Sequence, residues 1–331
     1  MEETLLKNKS EEYSSATTLV NTYAKRFISQ DDINAVGIGF RKVNGTQTEE
    51  VSIKAFVTKK LPANLVPVSK LLPSTTTERG VKNIKIDVEE MDKPVAPHFD
   101  TGVFSRPDEK LARAAFPATI SPGKSSSNIQ EEVGTICICA KPKGTADTKF
   151  RFFLSCNHVF ASFNFAPLGI PITEPSKVDG GILPYDFIGR LYSFVPLIYG
   201  PFYANFMDVG VAYTNLYSGV NIIGGIGKIT TVGDNNDLIN FPAVKKVGRT
   251  SGITYGNVAA VHATIKVDYW YGRNTLFGNQ IITSLMGAYG DSGSVLLDQN
   301  NHAQGMLFSG SATHTFFSPL DAILQTLGLE I

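Results

Sequence analysis

From residue 131 onward the chain breaks into short apolar or alternating runs separated by Gly, Asn and Pro. They include "EVGTICICA", "KFRFFLSC", "FIGRLYSFV", "MDVGVAYT", "AVKKVGR", "GNVAAVHATIKV", "QIITSL", "GSVLLD", "AQGMLFSG" and "TFFSPL". No helix-length periodic segment lies between them. Strands at this spacing predict an all-β barrel or sandwich. Only the last stretch, "SPLDAILQTLGLEI", has helical spacing, at Leu320, Ile323, Leu324 and Leu327, with Ser318-Pro319 as its start signal.

The first 95 residues have a different texture. Leu19, Val20, Tyr23, Phe27 and Ile28 fall at helix-compatible spacing within residues 11–29. "NAVGIGFRKV" and "EVSIKAFVTK" alternate like strands, and Asn44-Gly45 between them is a hairpin signal. "KNIKIDVEEM" offers a third strand. The expectation is a small α/β unit over residues 1–95, a connector over 96–114 and a β-rich domain over 115–331. Within residues 121–125, "SPGKS" has the end of a phosphate-loop pattern. The pattern needs Gly at 118, where Ala stands, so a polar turn is expected.

With 43% hydrophobic and 18% charged residues, the 331-residue chain can bury a substantial core. Its formal net charge is zero, which removes the simplest argument for nucleic acid or an anionic membrane as partner. The N-terminus is acidic and polar, unlike a signal peptide, and residues 194–213 carry Pro196, Pro201, Asn205 and Asp208, unlike a membrane span. Three cysteines, Cys137, Cys139 and Cys156, suit a reducing compartment. The expected location is cytoplasmic.

The chemistry centres on "GAYGDSGSVLLD", residues 287–298. Ser292 sits in a glycine-rich turn before an apolar run, which suits a displayed nucleophile as well as an ordinary surface turn. A nucleophilic serine needs a base and an acid to orient it. His158 follows a strongly apolar run in "LSCNHVFA". Asp208 enters an apolar strand in "NFMDVGVAY", where a carboxylate needs a hydrogen-bonded partner such as an imidazole N–H. Asp186 is the competing acid, with fewer signs of burial. The chain order His158, Asp208, Ser292 differs from the subtilisin and α/β-hydrolase orders, and Ser294 breaks the G-x-S-x-G elbow.

In that order, "SCNHVF", "MDVGVA" and "GDSGSVLLD" on a β-rich chain resemble the chymotrypsin/trypsin-like serine peptidases over residues 115–331. "VKKVGRTSGITYGNV" and "GMLFSGSATHTFFSPL" resemble a bacterial intracellular-type branch in which a small α/β region precedes the peptidase. The resemblance implies two antiparallel six-stranded barrels, about 115–215 and 216–322, with a C-terminal helix. It implies a catalytic triad of His158, Asp208 and Ser292, and an oxyanion hole from the Gly290 and Ser292 N–H groups. Met286, six residues before the serine, would lie at the base of the specificity pocket, with Phe308, Ser309, Gly310 and Thr315 as walls. Met286 is not acidic, which gives no support to Arg/Lys specificity. His314 lies close by. Departures from the best-known members are Ser294 in place of Gly and Cys156-Asn157 in place of two alanines. Secreted relatives often pair a newly cut N-terminus with the aspartate before the nucleophile. Asp291 is present here, without an obvious activation site.

The expected function is therefore a serine endopeptidase acting on protein or peptide substrates through an acyl-enzyme, without a cofactor or metal. The alternative is an inactive peptidase-fold binding module. Zinc on Cys137, Cys139, Cys156 and His158 would consume the base, and Cys137 and Cys139 suit a barrel core. The N-terminal unit is expected to control the site, recruit substrate or dock a regulatory partner.

Overall fold

A computed structural model describes residues 2–96, 119–131, 133–239, 242–269 and 273–331. Most of the expected connector, and His98, lie outside the described residues. No described helix is long and apolar enough to cross a membrane.

Helix α1 (Glu2–Phe27) buries Ala16, Leu19, Val20, Tyr23, Ala24 and Phe27, an i, i+3, i+4 stripe. Full burial of each large apolar side chain stabilises by about 1.5–3 kcal/mol. The stripe covers β1 (Ile33–Val43) and β2 (Thr46–Val57), an antiparallel hairpin. Asn44 and Gly45 both have positive φ, 51° and 80°, as a tight hairpin turn matching strand twist requires. Strand β3 (Lys85–Glu90) runs parallel to β2, and a two-residue strand β4 (Val95–Ala96) follows.

The first β-rich layer contains β5 (Ser127–Asn128), β6 (Cys139–Pro142), β7 (Phe152–Ser155), the short helix α2 (Asn157–Phe160), β8 (Pro171–Thr173), β9 (Phe187–Phe194) and β11 (Gly210–Tyr213), while β10 (Gly200–Asn205) pairs parallel with a strand of the second ring. Its ladders run β6-β7-β11-β9-β8-β5. The circuit closes through the stretch before β6: Ile136 N donates to Lys124 O, Ser126 N to Gly134 O, and Cys137 N to Leu154 O. The expected strand at 132–140 is thus regular only from Cys139, with its earlier half held by isolated bonds.

After the small pieces β12 (Ile222–Ile223), β13 (Gly227–Lys228) and β14 (Thr231–Val232), six strands form a second ring. They are β15 (Ala243–Gly248), β16 (Gly252–Tyr269), β17 (Arg273–Ser284), β18 (Val295–Leu297), β19 (His302–Gly310) and β20 (His314–Pro319). Pairing runs β17-β20-β19-β18-β15-β16, and β16 pairs back to β17, which closes a barrel. Helix α3 (Leu320–Leu327) and β21 (Leu329–Glu330) follow, and β21 pairs with β6. The fold is mainly β, as expected.

Strand β16 does double duty. Its first half belongs to the barrel, and beyond irregularities around His262 (φ 49°) its second half pairs with β1. The N-terminal strands therefore extend the barrel's own sheet. The contact is a short antiparallel ladder whose register shifts between Val36 and Ile38.

Candidate active site

His158 is placed by α2, which starts one residue after Cys156 and is buried along its whole length. Asn157 anchors the turn by donating to Val195 O and Asn164 Oδ1, both at 2.8 Å. Ser162, Phe163 and Asn164 all have positive φ (47°, 59° and 79°), a strained run for side chains larger than glycine. Its outcome is that the Phe163 ring stacks on His158, with centroids 5.7 Å apart.

Asp208 is fully buried just before β11. Its Oδ2 lies 2.6 Å from His158 Nδ1, and its Oδ1 accepts the His158 backbone N–H at 3.2 Å. A third donor arrives from β16: the Tyr269 hydroxyl, 2.7 Å from Oδ2. Burial, then the neighbouring Asp208 charge, pushes the Tyr269 phenol well up, so it stays protonated and donates. A neutral imidazole that gives Nδ1–H to this carboxylate carries its lone pair on Nε2. That atom is buried and has no hydrogen-bond partner among the described residues, and the same holds for Ser292 Oγ.

The Ser292 turn uses glycine where geometry demands it. Gly293 has φ 98°, and a Cβ there would sit 2.0 Å from Thr135 O and 2.4 Å from Ser155 Oγ. Gly290 has φ 93°, and a Cβ would lie 2.5 Å from Thr250 Oγ1. Thr135, from the first ring, laces the turn in place. Its N–H donates to Ser292 O, its Oγ1 to Gly290 O, and its own carbonyl accepts from Ser155 Oγ. Leu307 O accepts both the Gly293 N–H at 2.8 Å and the Cys156 thiol at 3.1 Å. The elements bearing His158 and Ser292 thus share one acceptor. Among the described residues, the Asp291, Gly293 and Ser294 N–H groups are spent on carbonyls of the turn and of β19, and those of Gly290 and Ser292 are not.

Asp291 points inward. Its carboxylate accepts from Thr250 N at 2.8 Å, Ser251 N at 3.1 Å, Ala288 N at 3.0 Å and Ser251 Oγ at 2.5 Å. It also pairs with Lys246 Nζ at 2.9 Å, and both side chains are fully buried. Burial lowers the Lys246 pKa, opposed by the Asp291 charge. The cation paired with Asp291 is thus a buried side chain of the same chain.

The residues expected at a specificity pocket are all buried. Thr315 Oγ1 accepts from Met286 N at 3.0 Å and Gly287 N at 3.1 Å. Phe308 packs on Phe277 with centroids 4.6 Å apart. Ser309 Oγ donates to Val95 O at 2.8 Å, and Gly310 pairs with Val95. Asp186 accepts from Ile182 N inside its own loop. Cys156, His158 and Asp208 have potential ligand atoms within 4.8 Å of one another. Burial, then the Asp208 charge, pushes the Cys156 thiol well up.

His314 faces the N-terminal unit, with Phe56 edge-on at 5.6 Å and Nε2 3.9 Å from Glu89. Glu89 in turn pairs with Lys42 and the buried Lys54. Burial outweighs Glu89, with Lys42 and Lys54 adding to the drop and Asp92 opposing it, and the His314 pKa falls to about 4. The unfolded chain then binds more protons between about pH 4 and 6.5, so stability rises with pH across that window and is lost on acidification. The loss is at most about 3 kcal/mol. His314→Gln should give a shallower fall in Tm from pH 6.5 to 4 than the parent; an identical slope would refute this assignment.

No protein-family model and no curated protein sequence matches the chain. Solved structures to which it is similar are serine proteases. A glutamic acid-specific serine protease, described as using a histidine triad in substrate binding, is 21% identical, with a TM-score of 0.45, over 64% of this chain and 100% of that one. Cellulomonas bogoriensis chymotrypsin is 20% identical, TM-score 0.43, over 64% and 98%. Thermobifida fusca Protease A is 19% identical, TM-score 0.45, over 64% and 98%.

Proposed function

We infer that the protein is a serine endopeptidase with Ser292 as nucleophile. One observation carries the reading: His158 Nδ1 lies 2.6 Å from Asp208 Oδ2, and two buried polar atoms, His158 Nε2 and Ser292 Oγ, have no partner among the described residues. An unsatisfied buried polar atom costs about 1–3 kcal/mol, and a proton transfer between these two groups is what their chemistry suits.

Ser292 Oγ attacks a peptide carbonyl while His158 Nε2 takes its proton. Asp208, held by Tyr269, stabilises the imidazolium. The Gly290 and Ser292 N–H groups receive the developing oxyanion. His158 then returns the proton to the leaving amine, and water, activated by the same imidazole, releases the acyl group.

A fluorophosphonate probe tests the reading directly. It should label the wild-type chain on Ser292, and Ser292→Ala should abolish both labelling and cleavage of a peptide library. A folded wild-type protein that takes up no probe would leave the chain as a peptidase-like binding module.

A further inference from the structure

Strand β4 occupies an unusual position. Past Met306, which pairs with Val295, β19 leaves β18 and passes the serine turn, where Leu307 O accepts from Gly293 N and Leu307 N donates to Ser294 O. Its next residues keep β20 on one side, through Ser309 and Gly310. On the other side Gly310 pairs antiparallel with Val95. A strand antiparallel to β19 that starts at Val95 runs back toward Leu307, and so toward Ser292. That is the edge and polarity on which an extended peptide would present a carbonyl to the serine by adding a strand.

The segment is tied down at several points. Met91 N donates to Val57 O, and Asn34 Nδ2 to Met91 O. Asp92 N donates to Thr313 Oγ1 at 3.4 Å, and Lys93 pairs with Asp268 at 2.9 Å. Pro94 O accepts from Asp268 N, and Val95 O from Ser309 Oγ. Ala96 is buried opposite Tyr269, the residue that holds Asp208.

We propose that Val95–Ala96 is an intrasteric strap, filling from within the chain the β19 edge that a peptide substrate would use. The proposal rests on the serine endopeptidase reading for its consequence, but the occupied edge stands apart from catalysis. Strap and substrate compete for the same backbone groups. Loosening the strap should therefore lower KM and leave kcat unchanged.

Two variants loosen it without altering the residues assigned to the chemistry. Val95→Pro removes a strand N–H and prevents regular pairing. Thr313→Val removes the hydroxyl that anchors Asp92 and that also meets His314 Nδ1 and Ser311 Oγ. With fluorescein-casein as substrate, Val95→Pro should reduce KM about tenfold, the ratio expected for losing one or two net hydrogen bonds. Thr313→Val should reduce it less. Fluorophosphonate labelling, which needs no peptide strand, should proceed at the wild-type rate in both. An unchanged or higher KM in variants with normal thermal unfolding would overturn the proposal.

A second measurement needs no catalysis. In a Ser292→Ala background, fluorescence polarisation of the labelled hexapeptide MDKPVA, the chain's own residues 91–96, should show about tenfold tighter binding when Val95→Pro is added. Equal binding would refute the strap even if the protein never cleaved a substrate. Absent labelling of the wild type with tightened peptide binding would refute the hydrolase and retain the strap.

Discussion

Asp208→Asn should lower kcat/KM by about 10⁴, the size of effect this substitution has in Ser–His–Asp hydrolases, while the protein stays folded. Three donors converge on this carboxylate: His158 N–H, His158 Nδ1–H and the Tyr269 hydroxyl. An amide of the same shape has one acceptor oxygen and must turn its NH₂ toward one of those donors. If it faces Nδ1, the imidazole adopts the other tautomer, and Nε2 carries a proton when it should take one. The loss corresponds to about 5.5 kcal/mol of transition-state stabilisation. Tyr269→Phe removes one donor and keeps the tautomer, so its effect should be nearer tenfold. Measuring kcat/KM on casein peptides, together with the rate of fluorophosphonate labelling, separates these outcomes. Wild-type activity in Asp208→Asn would remove His158 from the chemistry.

Much of this arrangement was legible in the sequence because it rests on local signals. An aspartate inside "MDVGVAY" had to be buried, and burial demanded a donor. Glycines at 290 and 293 marked a turn, and their positive φ values and the closeness of Thr135 and Thr250 explain why only glycine fits. The Asn44-Gly45 hairpin and the helix after Ser318-Pro319 were likewise written in short-range chemistry.

What escaped was long-range. Tyr269 is one of 12 tyrosines, and nothing near it in the chain indicates that its hydroxyl reaches a residue 61 positions away. The Phe163 ring reaches His158 only through three consecutive left-handed residues, none of them glycine. The docking of β1 on β16 depends on an irregular strand 18 residues long, which read as an ordinary barrel strand. Strand β4 is two residues long and carries no periodicity at all. Lys246 did leave a trace. In "AVKKVG" it shares phase with the buried Val244 and Gly248, so one of two adjacent lysines had to point inward and find an acid.

That lysine leads to the second large effect. Lys246→Met should destabilise the protein by about 3–5 kcal/mol, because it leaves the Asp291 carboxylate buried without a counter-charge. In a chain of this size the drop in Tm is about 4–7 °C. The functional loss has a different cause. Asp291 lies between Gly290 and Ser292, and its five protein donors hold that turn. A reoriented Asp291 would swing the two N–H groups away from the oxyanion position, and labelling of Ser292 should slow by about 10² to 10³. Adding Asp291→Asn separates the two effects. With the stranded charge neutralised, much of the Tm should return, while labelling stays slow because an amide cannot accept from all four remaining donors. If Lys246→Met keeps both its Tm and its labelling rate, the buried pair does not organise the turn. If both fall as expected, the oxyanion geometry is set by a side chain already in place and needs no new N-terminus. Control over the site then falls to access along β19, where Val95 sits.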